Sequence, residues 1–215
     1  MTALNRSRQQ DLFRPEQALS AVTLIGAGGV GSAIGLLLAK MGVPELTVFD
    51  FDTVEEHNLP SQLYRHEDLG RPKVEALADI ARGFADGQVI PRAERYADQS
   101  LAGLVISAVD SMDVRLSIWD RLRFDPNVAL YVDTRMGANL AVIHCVRPCD
   151  PDDVKRYERH LYPSKEASDI PCTARAIAYN TFGVASMVGA LVRKWWVVGE
   201  VPRSLKMDFD SFTFL

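Results

Sequence analysis

Apolar residues fall along this chain in short runs broken by glycine, proline and polar stretches, and the runs alternate between strand-like and helix-like spacing. Ala21–Ile25 is a brief apolar run ending in glycines, the pattern of a buried strand. Over residues 30–42, Val30, Ala33, Ile34, Leu36, Leu37, Leu38 and Met41 recur nearly all round a helix, which predicts packing against a sheet and a stop at Gly42. Leu46–Phe49 predicts a second strand that runs into Asp50-Phe51-Asp52. A helix is expected from about Pro72 to Phe84, with proline in its first turn. Gln88–Pro91, Leu104–Ala108 and Val128–Val132 read as further strands, with a helix at Met112–Arg123 between the last two.

This β-α-β-α alternation predicts an α/β fold, a Rossmann-like doubly wound sheet that is mainly parallel in its first half. A strand at Ala141–Val146 has no obvious helix before it, so antiparallel strands are expected in the C-terminal half. A long polar loop is predicted from Pro148 to Pro171, then an apolar helix over Ala174–Trp196 and an edge strand over Leu205–Leu215. No repeat and no Pro/Gly-rich linker divides the chain, so residues 1–215 read as one domain.

With 47% hydrophobic and 24% charged residues the composition is that of a globular protein. A net charge of −4 supplies no global basic field, so neither nucleic acid nor an anionic membrane is an expected partner. Three cysteines, an odd number, suit a reducing compartment with free thiols. The first residues show no apolar signal segment, and Arg193-Lys194 interrupts the most apolar C-terminal stretch, so a cytoplasmic location without a membrane span is expected.

Chemistry enters at Gly26-Ala27-Gly28-Gly29-Val30-Gly31, between the first predicted strand and helix. Gly26 permits a tight turn, Gly28 and Gly29 let a phosphate approach the backbone, and Gly31 allows helix and strand to pack closely. The helix N-terminus adds free N–H groups and partial positive charge. A glycine turn of this kind serves NAD and ATP alike. Asp50, about twenty residues on, suits a ribose. Asp52, Lys73 and Asp110, the last at the carboxyl end of a predicted strand, go beyond what a dinucleotide needs. A lysine and a second carboxylate at the mouth of a nucleotide crevice point to triphosphate chemistry, with lysine neutralising phosphate and carboxylate binding Mg²⁺.

The run VTLIGAGGVGSAIGLLLAKMGVPELTVFDFDTVEEHNL, followed by GRPKV and then AVDSMDVR, resembles the ThiF/MoeB/HesA family within the ubiquitin-activating enzyme superfamily, over about residues 5–215. The resemblance implies a Mg-ATP-dependent adenylyltransferase acting on the C-terminal glycine of a ubiquitin-like or sulfur-carrier β-grasp protein that ends in Gly-Gly. It implies that the glycine loop holds the phosphates, that Asp50 binds the ribose, that Asp52 and Gln62 also serve the nucleotide, that Asn58 and Lys73 line the triphosphate, and that Asp110 holds Mg²⁺. Arg6-Ser7-Arg8-Gln9 partly matches the family's R-x-x-R-Q element, whose arginine reaches into a partner protomer's site; Arg8 and a homodimer are therefore implied. Residues 1–20 would form the N-terminal arm, 21–135 the nucleotide-binding half, 148–172 a crossover loop above the partner's tail, and 173–215 the last helix and edge strands.

Two departures stand out. Where the family reads N-L-x-R-Q this chain has Asn58-Leu59-Pro60-Ser61-Gln62, so one arginine is missing, with Arg65 and Arg71 near in sequence. Cys145, Cys149 and Cys172 cannot form the family's Cys₄ zinc site, and no zinc is expected. Cys145 suits a small buried hydrophobe. Cys172, before the last helix and beside Arg175, is either packed beneath the helix start or a nucleophile that receives the carrier protein. Asp133-Thr134-Arg135 after a strand end either lines the acceptor's tail or forms a structural ion pair. Trp195-Trp196 is expected to be core or a dimer contact. The competing readings are an NAD-dependent oxidoreductase, a catalytically weak scaffold subunit of a heterodimeric activating enzyme, and adenylation of another acid such as a peptide terminus.

Overall fold

The computed structural model describes residues 4–164 and 176–214. Strands β1 (Val22–Ile25), β2 (Glu45–Phe49), β3 (Gln88–Arg92), β4 (Gly103–Ser107), β5 (Val128–Gly137), β6 (Leu140–Val146), β7 (Ser204–Asp208) and β8 (Thr213–Phe214) form one mixed sheet. Their order is β3-β2-β1-β4-β5-β6-β7-β8; the first five strands are parallel and the rest antiparallel. The order reverses between β1 and β4, the switch point at which an open α/β sheet leaves a crevice beyond the strands' carboxyl ends.

Five α-helices cover the sheet: α1 (Gly29–Met41), α2 (Lys73–Phe84), α3 (Met112–Leu122), α4 (Pro151–Glu158) and α5 (Ala178–Val198). Helices α1, α2 and α5 bury Ile34, Leu38, Leu77 and Val188 against one face. Helices α3 and α4 bury Ile118, Trp119, Val154 and Tyr157 against the other. Gly42 closes α1 at φ 95°, a left-handed backbone that a residue with a Cβ adopts at a cost. The N-terminal segment crosses to α5, where Phe13 stacks on Trp196 at 5.6 Å and the indole donates to Ser20 Oγ at 3.3 Å, so Trp196 serves packing.

Three expectations are corrected. The polar stretch after Pro148 is not loop throughout, because α4 forms within it. Asp150 accepts from the N–H groups of Asp152 and Asp153 at 3.0 and 3.2 Å, Pro151 occupies the first helical position, and Val154 with Tyr157 supplies a narrow buried stripe. The expected edge strand Leu205–Leu215 is two short strands, β7 and β8, folded back on each other. Strand β5 runs on to Gly137 instead of ending near Val132, because Asp133–Gly137 pair with β6 across a tight turn at Ala138. The last helix starts, within the described residues, at Ala178. Among those residues no helix is long and apolar enough to cross a membrane.

Candidate nucleotide site

The glycine loop leaves β1 at the switch point. Gly26 has φ +97°, and a Cβ there would lie 2.6 Å from Ala108 O; at Gly31 a Cβ would lie 2.0 Å from Gly26 O. Those two glycines are demanded by the fold, and they bring the loop after β1 against the loop after β4. At Gly29 a Cβ would meet Thr181 Cγ2 at 2.9 Å. Gly28 differs: its φ is −74° and a Cβ would meet nothing within 4 Å among the described residues. Its bareness serves no internal contact and opens the loop outward. Gly28 is also the N-cap of α1, and no side chain caps that helix. The first N–H groups of a helix have no intrahelical acceptor, so they face the crevice as donors.

Asp50 ends β2 partly buried, its oxygens accepting from Ala27 N–H at 2.6 Å and Asp52 N–H at 2.8 Å. Burial raises its pKa, against those two hydrogen bonds and the charge of Lys73. Lys73 opens α2 with its Nζ buried, 3.0 Å from an oxygen of the half-exposed Asp52. An ammonium has three donors, so this contact leaves capacity for a phosphate. Asp110 lies between β4 and α3, exposed, and its carboxylate has no hydrogen-bonding partner among the described residues. Close by, Ser164 is tied to the start of α3 by reciprocal 3.0 Å hydrogen bonds with Asp113.

The segment from Asn58 to Tyr64 is stapled across the loop. Asn58 is buried and its Oδ1 accepts from Glu55 N–H at 2.9 Å. Ser32 Oγ accepts from Leu63 N–H at 3.2 Å, Thr181 Oγ donates to Ser61 O at 3.3 Å, and the buried Tyr64 hydroxyl donates to Ala27 O at 2.6 Å. Gln62 Oε1 is buried without a hydrogen-bond partner among the described residues. Gly26, Gly28, Gly29, Gly31, Asp50, Asp52, Asn58, Gln62, Lys73 and Asp110 therefore all sit on the loops, short turns and helix starts around the switch point.

Other expected residues stand elsewhere. Arg8 is exposed on a short 3-10 turn, Ser7–Gln9, held by Gln9 Nε2 donating to Met41 O at 2.9 Å and by an ion pair between Arg6 and Asp86. That places it at the C-terminal end of α1, away from this chain's own glycine loop by about the length of the helix, roughly 20 Å at 1.5 Å per residue. Arg65 and Arg71 do not fill the gap left at Ser61: Asp68, fully buried, holds both at 2.9 and 3.1 Å, and Glu67 and Asp79 take their other nitrogens. Cys172 and Arg175 lie outside the described residues. Cys145 is buried, and burial pushes its thiol up to about 12.

Sequence reasoning missed one network. Asp133, fully buried on β5, accepts from Arg115 Nε at 2.6 Å, Arg135 Nε at 2.8 Å, Ser107 Oγ at 2.9 Å and Tyr157 hydroxyl at 2.9 Å. Burial alone would raise its pKa, but the charges of Arg115 and Arg135 and their hydrogen bonds hold it low. The open choice at Asp133-Thr134-Arg135 thus falls to a structural ion pair on a strand. Beside it His144 stacks on His160 at 4.7 Å, and burial followed by the Arg135 charge lowers its pKa to about 4.

A family model described as ThiF family matches residues 7–196. The SAMP-activating enzyme E1 of Haloferax volcanii is 36% identical over 114 residues, covering 49% of this chain and 42% of that protein. The molybdopterin-synthase adenylyltransferase of Escherichia coli K12 is 44% identical over 113 residues, covering 48% of this chain and 45% of its own. In both, the match spans less than half of the relative. Among solved structures, E. coli MccB with ATP superposes with a TM-score of 0.69 at 16% identity over 94% of this chain and 64% of that one, a likeness of fold.

Proposed function

The chain belongs to the ThiF family, and from that premise we propose that it is an ATP-dependent adenylyltransferase that activates the C-terminal glycine of a ubiquitin-like or sulfur-carrier β-grasp protein. The observation that carries this reading is Gly28. A Cβ there would meet none of the described residues, its helix is uncapped, and the Asp50 that holds the preceding N–H is linked through Asp52 to a buried lysine with donors to spare. An NAD site needs the loop and one carboxylate; Lys73, Asp52 and the exposed Asp110 suit a triphosphate better.

In this reading the uncapped N–H groups of α1 and Lys73 take phosphate oxygens, and Asn58, with its Oδ1 already engaged, offers its NH₂ group. Gln62 Oε1 is an acceptor, so it suits a ribose hydroxyl or the adenine amine. Asp110 would hold Mg²⁺, which supplies charge neutralisation at the phosphates when bound. A carboxylate oxygen of the carrier attacks the α-phosphorus, the bond to the bridging oxygen breaks, and pyrophosphate leaves; the chain contributes positioning and charge compensation. Arg8 lies too far from its own loop to act there, which fits delivery into a second protomer and hence a dimer. Transfer to Cys172 is a later step that the acyl-adenylate does not require.

The decisive experiment is exchange of labelled pyrophosphate into ATP with a Gly-Gly-ending β-grasp partner, alongside calorimetry with Mg-ATP and NAD. Exchange that needs both the partner and Mg²⁺ is expected. Tight NAD binding indifferent to Mg²⁺ would sink the proposal. The occupied guanidinium groups of Arg65 and Arg71 favour a second reading, a weakly catalytic subunit working beside an active one. Mg-ATP binding without exchange, restored by no partner, is its signature.

A further inference from the structure

We propose that Tyr64 is a positioning residue of the nucleotide site: its hydroxyl orients the Ala27–Gly28 peptide so that Gly28 N–H is delivered outward to a phosphate oxygen. The inference rests on the nucleotide reading above and adds a residue to it. Both peptides flanking Ala27 are held. Asp50 takes the Ala27 N–H at 2.6 Å, and the Tyr64 hydroxyl donates to the Ala27 carbonyl at 2.6 Å. The described chain has no cis peptide, and in a trans peptide the N–H points opposite to the C=O of the same plane. Drawing the Ala27 carbonyl inward to a buried phenol therefore turns Gly28 N–H the other way.

Without that hydroxyl the plane could rotate. It would then aim a carbonyl dipole, negative end first, at the place a phosphate must occupy. A Cβ at Gly28 would meet nothing within 4 Å among the described residues, so this turn of the loop is not crowded by them. Because Asp50 already consumes the Ala27 N–H, donors for an anion begin at Gly28. Tyr64 is packed in the core, and the adjoining Leu63 N–H donates to Ser32 Oγ at 3.2 Å, which ties this segment to α1. The phenol is buried, and burial together with the fields of Asp50, Asp68 and Asp52 raises its pKa, so it stays a donor.

Tyr64→Phe keeps the ring and removes the donor. Calorimetry should show Mg-ATP binding weakened roughly two- to tenfold, the span of one hydrogen bond, while adenosine, which has no phosphate, binds as before. A hydroxyl that merely filled a buried acceptor would move both ligands together or neither, and either result overturns the proposal. If the variant does not fold, the wild-type chain carries the test. Labelled with ¹⁵N, its Gly28 amide proton should move downfield with Mg-ATP and not with adenosine, while the Ala27 amide stays in place. A Gly28 amide unmoved by bound ATP overturns the proposal and leaves the nucleotide reading standing. A wild-type chain that binds no ATP overturns both.

Discussion

Asp110 follows the carboxyl end of β4 and Asp133 lies on β5 where its parallel pairing with β4 ends, and they end in opposite conditions. Asp110 is exposed and its carboxylate has no partner among the described residues. Asp133 is sealed, with two arginines, a tyrosine and a serine filling about the four acceptor positions a carboxylate has. A place at the carboxyl end of the parallel sheet thus does not separate a free carboxylate from a spent one. Unspent hydrogen-bonding capacity does.

The largest expected effect tests the closed region. Asp133→Ala leaves the buried Arg115 and the partly buried Arg135 unpaired, and urea unfolding should show a loss of about 3–5 kcal/mol. A loss below about 1 kcal/mol would mean the cluster rearranges or admits water. Asp110→Ala is the counterpart. Its stability should stay within about 0.5 kcal/mol, while Mg-dependent pyrophosphate exchange should fall on the order of a hundredfold or more, as when one stabilising group is removed from a developing charge. If both variants lose stability alike, the contrast is broken.

Acid separates the regions further. His144 lies beside Asp133 with its pKa lowered to about 4 from 6.5, so between those values the unfolded chain binds a proton that the folded chain refuses. Stability should therefore decline as pH falls from 6.5 towards 4, by roughly 3 kcal/mol from this group. His144→Phe should flatten that slope in denaturant unfolding at pH 7 and 4.5. Below the ordinary carboxylate value of 3.8 a second decline should begin, because the unfolded chain then takes a proton at Asp133 that the folded chain, holding this carboxylate low with its arginine partners, refuses.

The smallest contrast lies within the glycine loop. Gly31→Ala places a Cβ 2.0 Å from Gly26 O and should lower thermal stability by about 1–3 kcal/mol or more. Gly28→Ala meets open space, so the melting temperature should hold while affinity for Mg-ATP drops. Equal melting losses in the two variants would remove the distinction between a glycine kept for the fold and one kept for the ligand.

Much of this was legible in the chain because its cause is local. A positive φ at Gly26, the left-handed stop at Gly42 and the apolar faces of α1 and α2 are requirements of neighbouring residues. Helix α4 was obscured because its few turns carry mostly charge, though Asp150-Pro151 marked its start. The course of β5 past Val132 was hidden because its polar Asp133-Thr134-Arg135 looks like a strand end until β6 pairs with it. Arg65 and Arg71 looked available because their shared partner, Asp68, is buried by tertiary contacts.

The order of glycines, carboxylates and lysine along the chain, with the alternation of apolar runs, determined the fold class, the switch point and the set of residues around it. These follow from backbone sterics and hydrophobic period, which act over a few residues at a time. Only the tertiary structure decided which polar groups are already satisfied. Asp133 found two arginines from α3 and β5 and Tyr64 found the carbonyl of Ala27, while among the described residues Gln62 was left with a bare oxygen and Gly28 with open space. Whether a charge is spent or free depends on what the fold brings within about 3 Å of it, and spacing along the sequence does not encode that distance.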